Sequence, residues 1–161
     1  MPKVAKYNRK KAVSYAKRWA FDRNTKYTDF SGMGGDCTNF ASQCLYAGSG
    51  IINYTPVFGW YYKNINDRSP SWTGVEFLYN FLVSNRTRAV FASEVEIEYI
   101  MPGDIIQLGN AERFYHTLVV VSAENPNDIY ISTHTFNAYM RPLHSYQYER
   151  IRFLHIEGVY I

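Results

Sequence analysis

The sequence predicts an α+β fold in which helices come first and an antiparallel sheet follows, with the helices packed on that sheet. Three observations carry the prediction. In the N-terminal half Cys37, Phe40, Ala41, Cys44, Leu45 and Gly48 recur at the spacing of one helix face. From Val95 onward the pattern changes to short apolar runs separated by turn residues, the signature of paired strands. The chain has 161 residues, 47% hydrophobic and 19% charged, which suits one filled core and is too short for two ordinary domains. A single domain over residues 1–161 is therefore expected.

Taken in order, Asn8 is placed to cap a first helix ending at Trp19 or Ala20, with Ala12, Tyr15, Ala16 and Trp19 as its apolar stripe. Arg23 to Gly35 reads as a polar, glycine-ended loop leading into the Cys37 helix, which should stop at Gly48-Ser49-Gly50. No period holds from Ile51 to Ser71, where Trp60, Tyr61, Tyr62, Pro70 and Trp72 suggest a long loop packed by aromatics. Thr73-Gly74-Val75-Glu76 fits a capping box, and Val75, Leu78, Tyr79 and Leu82 predict a third helix. Strands are then expected at Val95–Ile100, Asp104–Leu108, Tyr115–Ser122, Ile129–His134 and Ile151–Ile161, the last bent at Gly158.

Composition narrows the function. The formal charge is +3, and much of the positive charge lies in Lys3, Lys6, Arg9, Lys10, Lys11, Lys17, Arg18, Arg23 and Lys26. That run reads as the solvated face of the first helix; no zinc-finger spacing or RNA-binding signature accompanies it, so a nucleic-acid partner is not supported. No stretch reaches the apolar length of a membrane span, and the N-terminus lacks the apolar core of a secretory signal. The expectation is a protein that works where it is made or a domain of a longer exported precursor. Oligomeric state is not legible.

Two cysteines occur, Cys37 and Cys44. On one helix their Cα atoms would be about 10 Å apart, beyond the ~7 Å a disulfide tolerates. Cys44 reads as a small core residue. Cys37 falls after Gly34-Gly35-Asp36, in the first turn of its helix, where free backbone N–H groups and the helix dipole favour thiolate over thiol. Thiol catalysis needs a base and usually a group that orients the base. His116 begins the most apolar strand and His134 ends the next, so an antiparallel pairing would bring the two together, with His134 fixing the tautomer of His116. Asn137 is an alternative third residue. A Cys–His–His metal site is the competing arrangement, but no pair has ligand spacing, so no metal and no cofactor are expected. His144 and His155 have no sequence neighbours that suggest chemistry.

Several blocks carry a resemblance: Gly35-Asp36-Cys37-Thr38-Asn39-Phe40-Ala41-Ser42-Gln43-Cys44-Leu45, Gly59-Trp60-Tyr61-Tyr62, Arg68-Ser69-Pro70-Ser71-Trp72, Gly103-Asp104-Ile105-Ile106-Gln107-Leu108, His116-Thr117, His134-Thr135 and Arg141-Pro142-Leu143. In this order they resemble a bacterial amidase-domain family related to the NlpC/P60 and CHAP cysteine peptidases and amidases. The resemblance implies a papain-like fold, with Cys37 as nucleophile, His116 as base and His134 as the third polar residue. It also implies that Asp36 and Thr38, flanking the thiol, face the substrate, as the aspartate of some relatives recognises a free amino group.

The implied function is a cysteine amidase or peptidase that cuts an amide bond in cell-wall peptidoglycan or a related peptide. The Cys37 backbone N–H is the oxyanion donor expected, and no upstream glutamine supplies a second. The aromatic content, 17%, suits sugar rings and peptide clefts, and Tyr54, Trp60, Tyr61 and Trp72 are candidates to line the cleft, with core packing the alternative for each. An inactive wall- or peptide-binding module and a thiol acyltransferase or transglutaminase are the other readings.

Overall fold

The computed structural model describes residues 1–161. Its elements are β1 (Val4–Ala5), α1 (Arg9–Trp19), α2 (Cys37–Ser49), β2 (Tyr62–Asn64), β3 (Asp67–Arg68), α3 (Pro70–Thr73), α4 (Val75–Ser84), β4 (Ala89–Val95), β5 (Ile105–Gly109), β6 (Phe114–Ala123), β7 (Ile129–Thr133), β8 (Ala138–Pro142) and β9 (Arg150–Tyr160). Apart from β1 and the β2–β3 pair, the helices precede the strands, as the periodicity predicts.

Asn8 caps α1, its side chain accepting from the Lys11 N–H. The helix buries Ala12 and Ala16 against α2, and small residues at that seam let the two backbones approach closely. Gly48 extends the close fit: a Cβ there would stand 2.5 Å from the Tyr7 ring and 2.8 Å from the Asn8 carbonyl. Gly50 ends α2 in the left-handed conformation, φ 68°, donating back to Tyr46. The Thr73 capping box does not form. Thr73 instead closes α3, Gly74 precedes α4 without a side-chain cap, and the Thr73 hydroxyl accepts from Arg68 Nε.

Seven antiparallel strands form one sheet in the order β1-β9-β5-β6-β7-β8, with β4 also pairing β9. The expected strand at Val95–Ile100 is displaced: β4 ends at Val95, and Ile97–Tyr99 makes a 3-10 turn. Alternating Val, Glu, Ile, Glu, Tyr suits a strand, yet only Val95 pairs, with Phe153 of β9, and the residues after it have no partner strand. The expected kink in the last strand is present. Phe91 pairs Gly158 and Ala92 pairs Ile156, so the register slips by one residue beside the glycine. Two short strands, β1 and β8, have no periodic signal, and the loop before α3 contains the β2–β3 hairpin.

Both faces of the sheet are covered. Ile105, Val119, Val121, Leu154 and Ile156 join α1, α2 and α4 residues in the larger core. Ile106, Leu108, Leu118, Val120, Ile131 and Leu143 form a second cluster on the opposite face. Successive residues of β5 and β6 thus alternate between the two cores. That alternation decides which side chains of β6 can meet α2. No helix is long and apolar enough to cross a membrane.

Candidate active site

Gly34 and Gly35 have φ of 98° and 121°, conformations that an L side chain rarely adopts. They turn the chain sharply so that Asp36 precedes α2 and Cys37 opens it. The Asp36 carboxylate does not cap the helix. It is 1% exposed and gathers other partners: Phe30 N–H and Asn39 Nδ2 each donate to Oδ1 at 2.9 Å, and His134 Nδ1 lies 2.5 Å from Oδ2. The Asp36 N–H donates to the Thr135 hydroxyl at 2.7 Å. Asp36 is therefore a fastening beneath the thiol. Its oxygens face protein groups in this structure, not the surface.

His134 is equally occupied. Its Nε2 lies 2.8 Å from the Trp19 carbonyl at the C-terminus of α1, an oxygen that also accepts from the Asp22 N–H. Its ring stacks on Phe40 with centroids 4.0 Å apart. Neither nitrogen bonds His116, so the tautomer-fixing contact expected from the strand ends is absent. The register explains it. Val119 pairs Ser132 in the β6–β7 ladder, which continues to place His134 opposite Thr117 rather than His116. Asn137, the alternative, accepts from Arg23 Nη2 at 3.0 Å. Arg23 in turn lies 3.3 Å from Asp29, 3.6 Å from Asp36 and 3.2 Å from His134 Nε2, pinning the loop before α2.

Cys37 is a free thiol, 7% exposed. Burial raises its pKa above the usual thiol range, and the Asp36 charge adds to that; hydrogen bonds from the Thr117 backbone and from Thr38 act in the opposite direction. The first-turn position alone predicts a lowered pKa, so burial outweighs it. Thr38 is also buried, its hydroxyl 2.9 Å from that of Thr117, and is closed to substrate.

His116 pairs Leu108 across the β5–β6 ladder and shares its side of the sheet, while Thr117 faces α2. The ring packs 5.9 Å from that of Tyr146. Burial, with a smaller contribution from the Arg141 charge, lowers the His116 pKa to about 4. His116 lines a cavity of about 320 Å³ with Thr135, Phe136, Arg141 and Tyr146. No hydrogen bond joins His116 to Cys37 in this structure. Thr135 connects their surroundings, bonding the Asp36 N–H on one side and lining the His116 cavity on the other. It does so in a strained conformation: Thr135 and Phe136 have φ of 57° and 59°. For a β-branched residue that costs about 1–3 kcal/mol.

The aromatic candidates divide. Trp60 and Trp72 are fully in the core, their indole N–H groups donating to Ser42 Oγ and Asn39 Oδ1, so neither lines a cleft. Tyr54 and Tyr61 pair at the surface, with Lys63 over the Tyr54 ring and the Tyr61 hydroxyl donating to Asp67. Sequence reasoning missed Arg23 and the structural part played by Thr135, since neither lies on a periodic element. It also left His155 without neighbours. Its Nδ1 is 2.8 Å from Asp104, a buried carboxylate that Arg9 meets at 2.7 Å and the Met101 and Ile156 N–H groups complete.

A model of the family described as "Putative amidase domain" (Amidase_6) matches residues 6–156. "Uncharacterized protein YhbB" of Bacillus subtilis (strain 168) is 33% identical over 139 residues, covering 84% of this chain and 43% of that protein. The chain thus spans less than half the length of this relative. No solved structure matches. A buried free thiol opening the central helix, and a family match that runs from before α1 into β9, together place the sequence: the chain belongs to the amidase-domain family.

Proposed function

We propose that this chain is a cysteine-dependent amidase or peptidase of papain-like arrangement, acting on an amide bond of cell-wall peptidoglycan or a related peptide. The observation that carries the reading is the free Cys37 at the first turn of α2 in a member of an amidase-domain family. Cys37 is the nucleophile and His116 the base. His116 is neutral at neutral pH, but burial that lowers its pKa to about 4 also weakens it as a base, so the proposal requires substrate binding to raise it toward its ordinary value. In this structure His116 lies on the Leu108 side of the sheet, away from α2, so the proposal requires the imidazole to move round the strand end to the Cys37 side in the substrate complex.

The Cys37 sulfur attacks the amide carbonyl as its proton passes to His116. The tetrahedral oxyanion takes the Cys37 N–H, one of the free donors at the start of α2. Collapse breaks the C–N bond, and the amine leaves with the proton from His116. Water, deprotonated by His116, then hydrolyses the thioester and restores the thiol. His134 and Asp36 contribute by holding the Cys37 turn, not by touching His116.

Purified muropeptides incubated with the protein and separated by mass spectrometry should show a new amine and carboxylate. Cys37→Ala should remove that turnover to background while the far-ultraviolet spectrum is kept. Product formation undiminished in Cys37→Ala would overturn the assignment. The raised Cys37 pKa favours a second reading, a wall- or peptide-binding module, which predicts binding without any product in the same assay.

A further inference from the structure

A groove of about 600 Å³ begins at Gly34, next to the turn that carries Cys37, and passes Thr73 and Phe77 to reach Arg113, Tyr115 and Arg150. It continues past Phe77 into a second hollow of about 380 Å³ that Asn66 and Arg68 border. Both ends of its near wall adjoin the proposed chemistry: Gly34 precedes Asp36-Cys37, and Tyr115 precedes His116.

The charges in this groove are unevenly committed. Arg152 is fully engaged, donating to Glu76 at 2.9 Å and to Gln107, with its guanidinium over the Tyr79 and Phe114 rings. Arg68 is likewise held, donating to Thr73 and to the Ile65 carbonyl. Arg150 donates only through Nε, to the Asn110 carbonyl, and its guanidinium lies over Phe114 with the terminal nitrogens free. The Arg113 side chain makes no hydrogen bond or ion pair, although its backbone is anchored in the Asn110 turn. Glu112, on the same turn, is the one carboxylate of the groove without an ion-pair partner. Once Arg152 and Glu76 cancel, two cations face one anion beside the exposed ring of Phe77.

We infer that this groove is a subsite for a free carboxylate on the peptide substrate, taken by Arg113 and Arg150, with Phe77 supporting the adjoining chain. Two guanidiniums, Arg113 on the β5–β6 turn and Arg150 at the start of β9, match a carboxylate through paired, charge-assisted hydrogen bonds, and the Phe114 ring beneath Arg150 holds its plane in place. The assignment rests on the peptide-amidase reading above and names the class of peptide that reading would take.

The test uses a stem peptide bearing a free carboxylate and the same peptide with that group as its carboxamide. Their affinities for the unsubstituted 161-residue chain and for Cys37→Ala are measured by calorimetry, and turnover is followed separately by mass spectrometry. The free acid should bind roughly tenfold more tightly than the carboxamide to both proteins, the scale of one hydrogen bond to a charged group. In Arg113→Gln and in Arg150→Gln that ratio should fall, and in the double variant it should approach unity. Arg113→Glu should invert it. Equal affinity of the two peptides for the unsubstituted protein, or a ratio that survives the double variant, would overturn the subsite. Absence of turnover by the unsubstituted protein, with the ratio intact, would strike the amidase reading and leave the subsite standing.

Discussion

Cys37 and Cys44 lie on the same face of α2 and differ in what surrounds them. Cys44 is wholly buried among apolar side chains, and burial pushes its thiol well above the usual range with only its own backbone in opposition. Cys37 is also buried, yet it meets the Thr117 backbone and Thr38, and it stands on a polar fastening made by Asp36, His134, Asn39 and Thr135. One end of the helix is held by packing and the other by hydrogen bonds. A thiol at the polar end can be activated by a small rearrangement of donors and charges. At the apolar end nothing is available to stabilise a thiolate.

The largest expected effect comes from breaking the polar end. His134→Ala leaves the buried Asp36 carboxylate without its closest partner and should cost about 3–5 kcal/mol in urea unfolding. A loss below about 1 kcal/mol would mean that Arg23 and water replace the imidazole, and the contrast between the two ends would weaken. A second effect comes from pH. The unfolded chain protonates His116 near its ordinary value, whereas the folded chain does so only near about 4. Between those values the unfolded state holds the extra proton, so stability should fall as pH drops through that window and level off below it. His116→Gln should flatten this part of the curve; an unchanged slope would place the titration elsewhere. The smallest effect is chemical. Iodoacetamide should alkylate Cys37 at least about tenfold faster than Cys44 in the folded protein, with Cys37 reacting chiefly above the usual thiol range because reactivity follows the thiolate. Equal rates would erase the distinction between the two ends.

Much of this was legible in the residues. Asn8 and Gly50 mark helix ends through local backbone chemistry, and the spacing of Phe40, Ala41, Cys44 and Leu45 places one face of α2 in the core. The errors also have local causes. Val95–Ile100 alternates like a strand but lacks a partner, and Thr73 has capping chemistry but ends one helix instead of opening the next. Trp60 and Trp72 have the right chemistry for a cleft and were claimed by the core.

The sequence by itself determined the order of helices and strands, the seat of Cys37 at a helix start and the inert setting of Cys44. These depend on periodicity and capping within a few neighbouring residues. Only the tertiary structure decided the partners of the histidines and the upward shift of the Cys37 thiol. His134 meets Asp36 across 98 residues and the Trp19 carbonyl across 115, and the register of β6 assigns His116 and Thr117 to opposite faces. Contacts at that separation are set by strand pairing and burial, and burial is a property of the assembled core.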